Sequence, residues 1–240
     1  MRRLASFART FPLPCETVLV LAMCTAGWAA MLAAHANGSG GHVSHAVADG
    51  GAVRVGMDGA VATLAAWAAM TLAMVPAAAH GMARRVATRA LPHRRFRSAL
   101  LFLLPHWGAW LVAGIACLPI AMLLRFVFGP RAATAMAVAV FAVWLFSRAR
   151  LTALRRCHAS AALRIAGSRA DVDAMLFGLA HGRRCVLACG PLMLVATVAQ
   201  AGLVGMAAAT WAMIAERRRI DPTPNASLAA VALIVTLSLA

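Results

Sequence analysis

Cys185, Cys189 and Met193 recur at intervals of four in Gly182-Arg-Arg-Cys185-Val-Leu-Ala-Cys189-Gly-Pro-Leu-Met193, so on a helix all three share one face. Thiolate and thioether are the donors that select Cu(I) over hard cations. Arg183 and Arg184, together with the N-terminus of the helix they open, favour the thiolate form that a metal requires. Met70 and Met74 stand one helical turn apart in the uncharged stretch 61–82, and His80 follows near its end. These six residues, Cys185, Cys189, Met193, Met70, Met74 and His80, form the candidate metal set, and copper(I) is the ion it suits. Met and Cys also serve as plain packing residues between helices, which is the competing reading for each.

The elements that must position these residues are membrane spans. A span needs about 20 apolar residues at roughly 1.5 Å each to cross a hydrocarbon core of about 30 Å. Hydropathy marks six such stretches, 15–36, 60–82, 99–124, 131–147, 185–214 and 226–240, the last of them short. The predicted fold is an all-α polytopic bundle, one integral membrane domain over 1–240. The second span runs outward to inward and the fifth inward to outward, which puts Met74 and His80 at the depth of Cys185 to Met193.

All 23 basic residues are Arg, and seventeen of them fall before the first span, in 83–98 or in 148–184. The positive-inside rule therefore places the N-terminus and both loops in the cytoplasm. Arg217, Arg218 and Arg219 then lie on the wrong side, unless they are tolerated beside Glu216 or the final segment does not span. Arg2, Arg3 and Arg9 precede an apolar run ending in Ala34-His35-Ala36, which has the look of a signal-peptidase site, but the run exceeds a usual signal core and reads as an anchor. The Gly-rich stretch 37–59 is an external loop. There His42-x-x-His45, with His35 before it, could take up a divalent ion or copper, although solvated histidines are the plainer reading. Between the fourth and fifth spans, Leu151, Leu154, His158, Ala161 and Ile165 repeat as a basic amphipathic helix on the interface. Asp171 caps a second short helix carrying Val172, Met175, Leu176 and Leu179, ended by Gly182.

With 62% hydrophobic and 12% charged residues and a mean hydropathy of +0.80, the chain has too few polar side chains to coat a soluble globule. The net charge of +16 belongs to the inter-span loops rather than to a nucleic-acid surface. Six cysteines without regular close spacing, none of them in 37–59, argue against a disulfide framework and for reduced-thiol chemistry. No phosphate-binding glycine loop, Ser-His-Asp pattern or pair of carboxylates occurs within the spans, so no catalytic residues are assigned and a non-enzyme is expected. His80 and His106 at similar depth would suit a bis-histidine haem, but no second pair supports one. The absence of Tyr and Lys beside abundant Ala points to a GC-rich bacterial genome.

Trp67-x-x-Met70-x-x-Ala73-Met74-x-Pro76, then Gly182-x-x-Cys185-x-x-x-Cys189-x-x-Leu192-Met193, Gly205-Met206 and Trp211-x-Met213-x-x-Glu216-Arg217 together resemble a bacterial family of metal-binding integral membrane proteins, domain of unknown function 2182. The similarity covers roughly 60–219 and implies a multi-helix membrane protein that handles metal, copper foremost, with no reaction attached. It departs at Ala188-Cys189-Gly190, where the family tends to carry adjacent cysteines followed by Trp. Cys157-His158 fits another cysteine-containing patch of the family loosely. The functional expectation is a protein of the bacterial inner membrane that binds or delivers copper(I) to a copper-dependent partner. The alternative is an accessory or structural subunit of a larger membrane complex, packing through Gly, Ala and Met faces.

Overall fold

The computed structural model describes residues 13–36, 57–159, 162–218 and 224–239, and every described element is helical or a turn. The helices in order are α1 (Cys15–Ala36), α2 (Met57–Arg89), α3 (Arg95–Leu145), α4 (Arg148–Cys157), α5 (Ser168–Val198), α6 (Gly202–Arg217) and α7 (Asn225–Leu239), with a 3-10 turn at Pro92–Arg94. His42, His45 and most of the 37–59 stretch lie outside the described residues, as do Arg2, Arg3, Arg9 and Arg219. Ala161 of the predicted amphipathic stretch does too.

Helix α3 is a hairpin of two limbs. Gly129 adopts φ 75° and ψ 167°, a conformation that L side chains rarely take, and Pro130 follows with the fixed φ that opens a helix. The first limb, 95–128, runs parallel to α5: the Phe102 and Phe177 rings meet at a tilt with centroids 5.6 Å apart, Trp110 bonds Cys185, and Arg125 Nη1 donates to Val198 O at 2.6 Å. The second limb returns, so that Trp144 Nε1 donates to Leu187 O at 3.1 Å. Small residues allow the close approach of α3 and α5. A Cβ at Gly178 would collide with the Phe102 carbonyl, and one at Gly182 would stand 2.7 Å from His106 O. Gly178-x-x-x-Gly182 is thus the small-residue seam along which the two helices meet.

The predicted fifth span, 185–214, is not one helix. Helix α5 stops at Val198, and the chain reverses through Ala199–Ala201 into α6. Ala201 N–H bonds Ala196 O at 3.1 Å and Gln200 N–H bonds Thr197 O at 3.3 Å, with Gln200 at φ 52°. This is the six-to-one and five-to-two pattern of a helix stop with a left-handed C′ residue. Gly202, also at positive φ, starts the return. The apolar run had hidden the turn because hydropathy sums composition and does not see backbone reversal.

Two further expectations change with it. The predicted second interfacial helix, 171–182, is the first half of α5, so Gly182 ends nothing; Asp171 is not its N-cap, which is Gly167, and instead pairs with Arg94 at 2.5 Å and Arg97 at 2.8 Å. The first amphipathic helix, α4, stops at Cys157 rather than running on to Ile165, capped at its start by Ser147 accepting from Arg150 N–H at 3.1 Å. Because α6 runs back, Arg217 lies at the same end of the bundle as Arg150, Cys157 and Ala78. Arg217, the first of the triplet that seemed misplaced, joins the basic end, and among the described residues Arg125 and Arg131 mark the other.

Three stretches are long and apolar enough to cross a membrane by length and composition: Cys15–Ala36, Gly59–Arg89 and the two-limbed Pro92–Leu145. Their outward faces leave large apolar side chains exposed, Phe126 at 84% and Val143 at 77% among them.

Candidate metal centre

The stripe on α5 points inward. Cys185, Cys189 and Met193 are all buried, and they share one continuous core with Met70 and Met74 of α2. The sequence placed those five together, and the fold does bring their helices to a common interior. His80 goes elsewhere: it is half-buried, and its Nε2 stands 3.1 Å from Thr17 Oγ1 at the α1–α2 contact. His35 is exposed at the end of α1.

Indole groups fix the sulfur stripe. Trp110 Nε1 donates to Cys185 Sγ at 3.3 Å, while Trp67 Nε1 donates to Trp110 O at 2.8 Å across the α2–α3 contact. A buried indole N–H requires an acceptor, and a polarizable sulfur serves as one. Cys185 and Cys189 stand one turn apart on the buried face of α5.

Three residues complete the surroundings that spacing alone did not assemble. Cys157, the last residue of α4, is buried at the basic end of the bundle, and Arg217 Nη2 lies 3.8 Å from its sulfur. The same guanidinium donates through Nη1 to Ala78 O at 3.3 Å. Burial pushes the Cys157 thiol above its ordinary range, and the Arg217 charge pulls it back. The next residue along α6, Glu216, forms a buried ion pair with Arg150, whose Nη1 also donates to Leu145 O at 3.3 Å. That pair fixes the end of α6 against the start of α4, and so sets where Arg217 can reach. The signals were present: Cys157 stands beside His158 in the basic loop, and Glu216-Arg217 puts a carboxylate at the end of an apolar stretch.

His106 and His181 form a separate buried unit. Cys157 O only accepts, so His181 Nε2, at 3.2 Å from it, carries a proton. With both rings neutral, His181 Nδ1 then accepts from His106 Nδ1 at 3.2 Å, leaving His106 Nε2 without a proton. This pairing, with His106 stacked on Phe102, takes the ring away from any shared ligand with His80.

Among the described residues no three His, Cys, Asp or Glu side chains stand as a ready-made metal set. Among the described residues the molecule is a helical bundle with large apolar side chains on its outer faces and buried Cys and Met side chains in its interior. A family model described as copper chaperone, PpoB2, matches residues 64–239, and the chain belongs to that family. No curated protein and no solved structure matches the chain. The match carries the copper expectation of the sequence resemblance under the family's own description rather than the designation given above.

Proposed function

We propose that this chain is a multi-pass membrane protein that takes Cu(I) as cargo on Cys185 and Cys189, with Met193 and the Met70 and Met74 thioethers available to complete the coordination, and passes it to a copper-dependent protein. The observation that carries the reading is the buried Cys185/Cys189 pair, one turn apart on α5 under the Trp110 indole, in a chain of a copper chaperone family. Two thiolates about 6 Å apart at Cβ can share one Cu(I), and a thioether adds a donor without adding charge. Nothing in this chemistry converts a substrate, so the role is binding and transfer. The membrane setting is supported by the three long apolar stretches and their exposed outer faces. The arginine-rich end, which gathers Arg84, Arg85, Arg94, Arg150 and Arg217, is then the cytoplasmic end of a bacterial inner-membrane protein, with the N-terminus on that side.

The test is to load detergent-purified protein with Cu(I) under reducing conditions and measure the copper retained by wild type and by a Cys185→Ser, Cys189→Ser double variant. Wild type is expected to keep about one copper per chain and the double variant little. Equal retention, or none by wild type, refutes the site and leaves a packing role for these residues within a larger complex.

A further inference from the structure

We infer that an open-sided cavity between α5 and the segment after α4 is a binding site for an anionic phospholipid, with Arg184 as the partner of its phosphate. The inference is independent of the copper reading and rests only on the membrane setting proposed above. The cavity measures about 370 Å³. One wall is a single face of α5, on which Asp173, Leu176, Phe177, Ala180 and Arg184 recur at helical spacing. On the opposite side Leu163 supplies the apolar bulk.

The way α4 ends builds this space. Three successive carbonyls there are held by other helices: Arg184 Nη1 donates to Arg156 O, His181 Nε2 to Cys157 O and Arg85 Nη1 to His158 O, each at 3.2 Å. Farther along, Leu163 packs against the cluster of Phe102 and Phe177, and Arg164 reaches Asp173 through its backbone N–H at 3.3 Å and its Nε at 3.8 Å. The carboxylate in the lining is thus already matched, and the charge left over is positive. Arg184 is half-buried, forms no ion pair among the described residues, and gives one of its N–H donors to Arg156 O. A guanidinium so placed beside Leu163, Leu176 and Phe177 suits an anion joined to an apolar body. Met175, Leu176 and Leu179 stay exposed on the same stretch of α5. A cavity of this volume takes a headgroup and the start of its chains, and is too small for a docked helix about 10 Å across. On the proposed topology this end of the bundle meets the cytoplasmic leaflet, whose anionic lipids are drawn to arginines near the surface. Arg155, Arg156 and Arg183, all exposed, add to that attraction.

The experiment is native mass spectrometry of the detergent-solubilised chain in micelles doped with equal amounts of phosphatidylglycerol and phosphatidylcholine. It compares wild type with Arg184→Gln, which keeps an N–H donor for Arg156 O, and with Ala180→Phe, which fills the cavity without altering charge. Arg169→Gln, which removes an exposed arginine of the same helix outside the lining, is the control. Wild type and Arg169→Gln are expected to hold one phosphatidylglycerol in clear excess over phosphatidylcholine. Arg184→Gln should lower phosphatidylglycerol affinity about fivefold, the attraction of one arginine to an anionic surface, and leave phosphatidylcholine unchanged. Ala180→Phe should lower both. Equal retention of the two lipids by wild type, a loss in Arg184→Gln no greater than in Arg169→Gln, or wild-type dimers that Ala180→Phe dissociates, which would give the face to a second copy, overturns the site. Where Ala180→Phe does not fold, the comparison of Arg184→Gln with Arg169→Gln decides. A chain that stays in solution without detergent overturns the membrane setting itself, an outcome separate from loss of the lipid site alone.

Discussion

Replacing Glu216 by Met should be among the most damaging single substitutions in the molecule. The Arg150 and Glu216 side chains are each only 3% exposed, so solvent screens little of the charge that remains when one partner is removed. Breaking such a pair costs about 3–5 kcal/mol, because a buried ion is left uncompensated. The pair itself is far less valuable than that. Arg150 Nε and Glu216 Oε1 are already enclosed without partners, and each orphan costs about 1–3 kcal/mol. The net contribution of the intact pair is therefore small. An Arg150→Met, Glu216→Met double variant, which removes both charges and both orphans, should accordingly regain most of the stability that either single variant loses. The assay is unfolding in mixed detergent micelles on titration with dodecyl sulfate, run on all four proteins as a double-mutant cycle. A single variant that loses less than about 1 kcal/mol, the range of an exposed pair, would refute the reasoning, as would a double variant whose loss equals the sum of the two.

On the proposed topology, with the basic end cytoplasmic, a reporter fused after Ala240 should be active on the periplasmic side, because the reversal at Gln200 returns α6 to the basic end; a single span over 185–214 would put it in the cytoplasm. Gly178→Ala should destabilise the bundle by about 1–3 kcal/mol through collision with the Phe102 carbonyl, checked by the same unfolding titration. Gly81→Ala, where nothing stands within 4 Å of the added carbon, is the control and should be neutral or slightly stabilising.

What the sequence revealed followed from what kind of information each feature carries. Apolar runs bounded by charge are long, additive signals, so α1 and the two limbs of α3 emerge close to their predicted bounds, with Gly129-Pro130 between the limbs. The i, i+4, i+8 spacing of Cys185, Cys189 and Met193 needed only helical geometry to predict a common face, and that face is buried. His80 was placed by depth alone, and depth does not say which neighbour a helix face meets; it meets Thr17. The turn at Gln200 was illegible for a different reason. Ala196 to Gly202 contains no charge and no proline, and its stop is written in backbone bonds and a positive φ.

That unread turn decides what the end of α6 packs against. With 185–214 as one helix, Arg217 would lie at the far end of the apolar run from Cys157 and Ala78, both of which it reaches. The reversal after α5 brings the C-terminal turn of α6 beside Ala78 of α2 and Cys157 of α4, and Arg217 with it. The Arg150–Glu216 pair then holds that return in place. Since the net energy of such a pair is small, its effect lies in position: it holds the end of α6 against the start of α4, where Arg217 reaches Cys157. The Arg150→Met, Glu216→Met double variant separates these roles, because it should keep the fold while loosening the placement of Arg217. A changed rate of Cys157 alkylation at near wild-type stability is the result this argument requires.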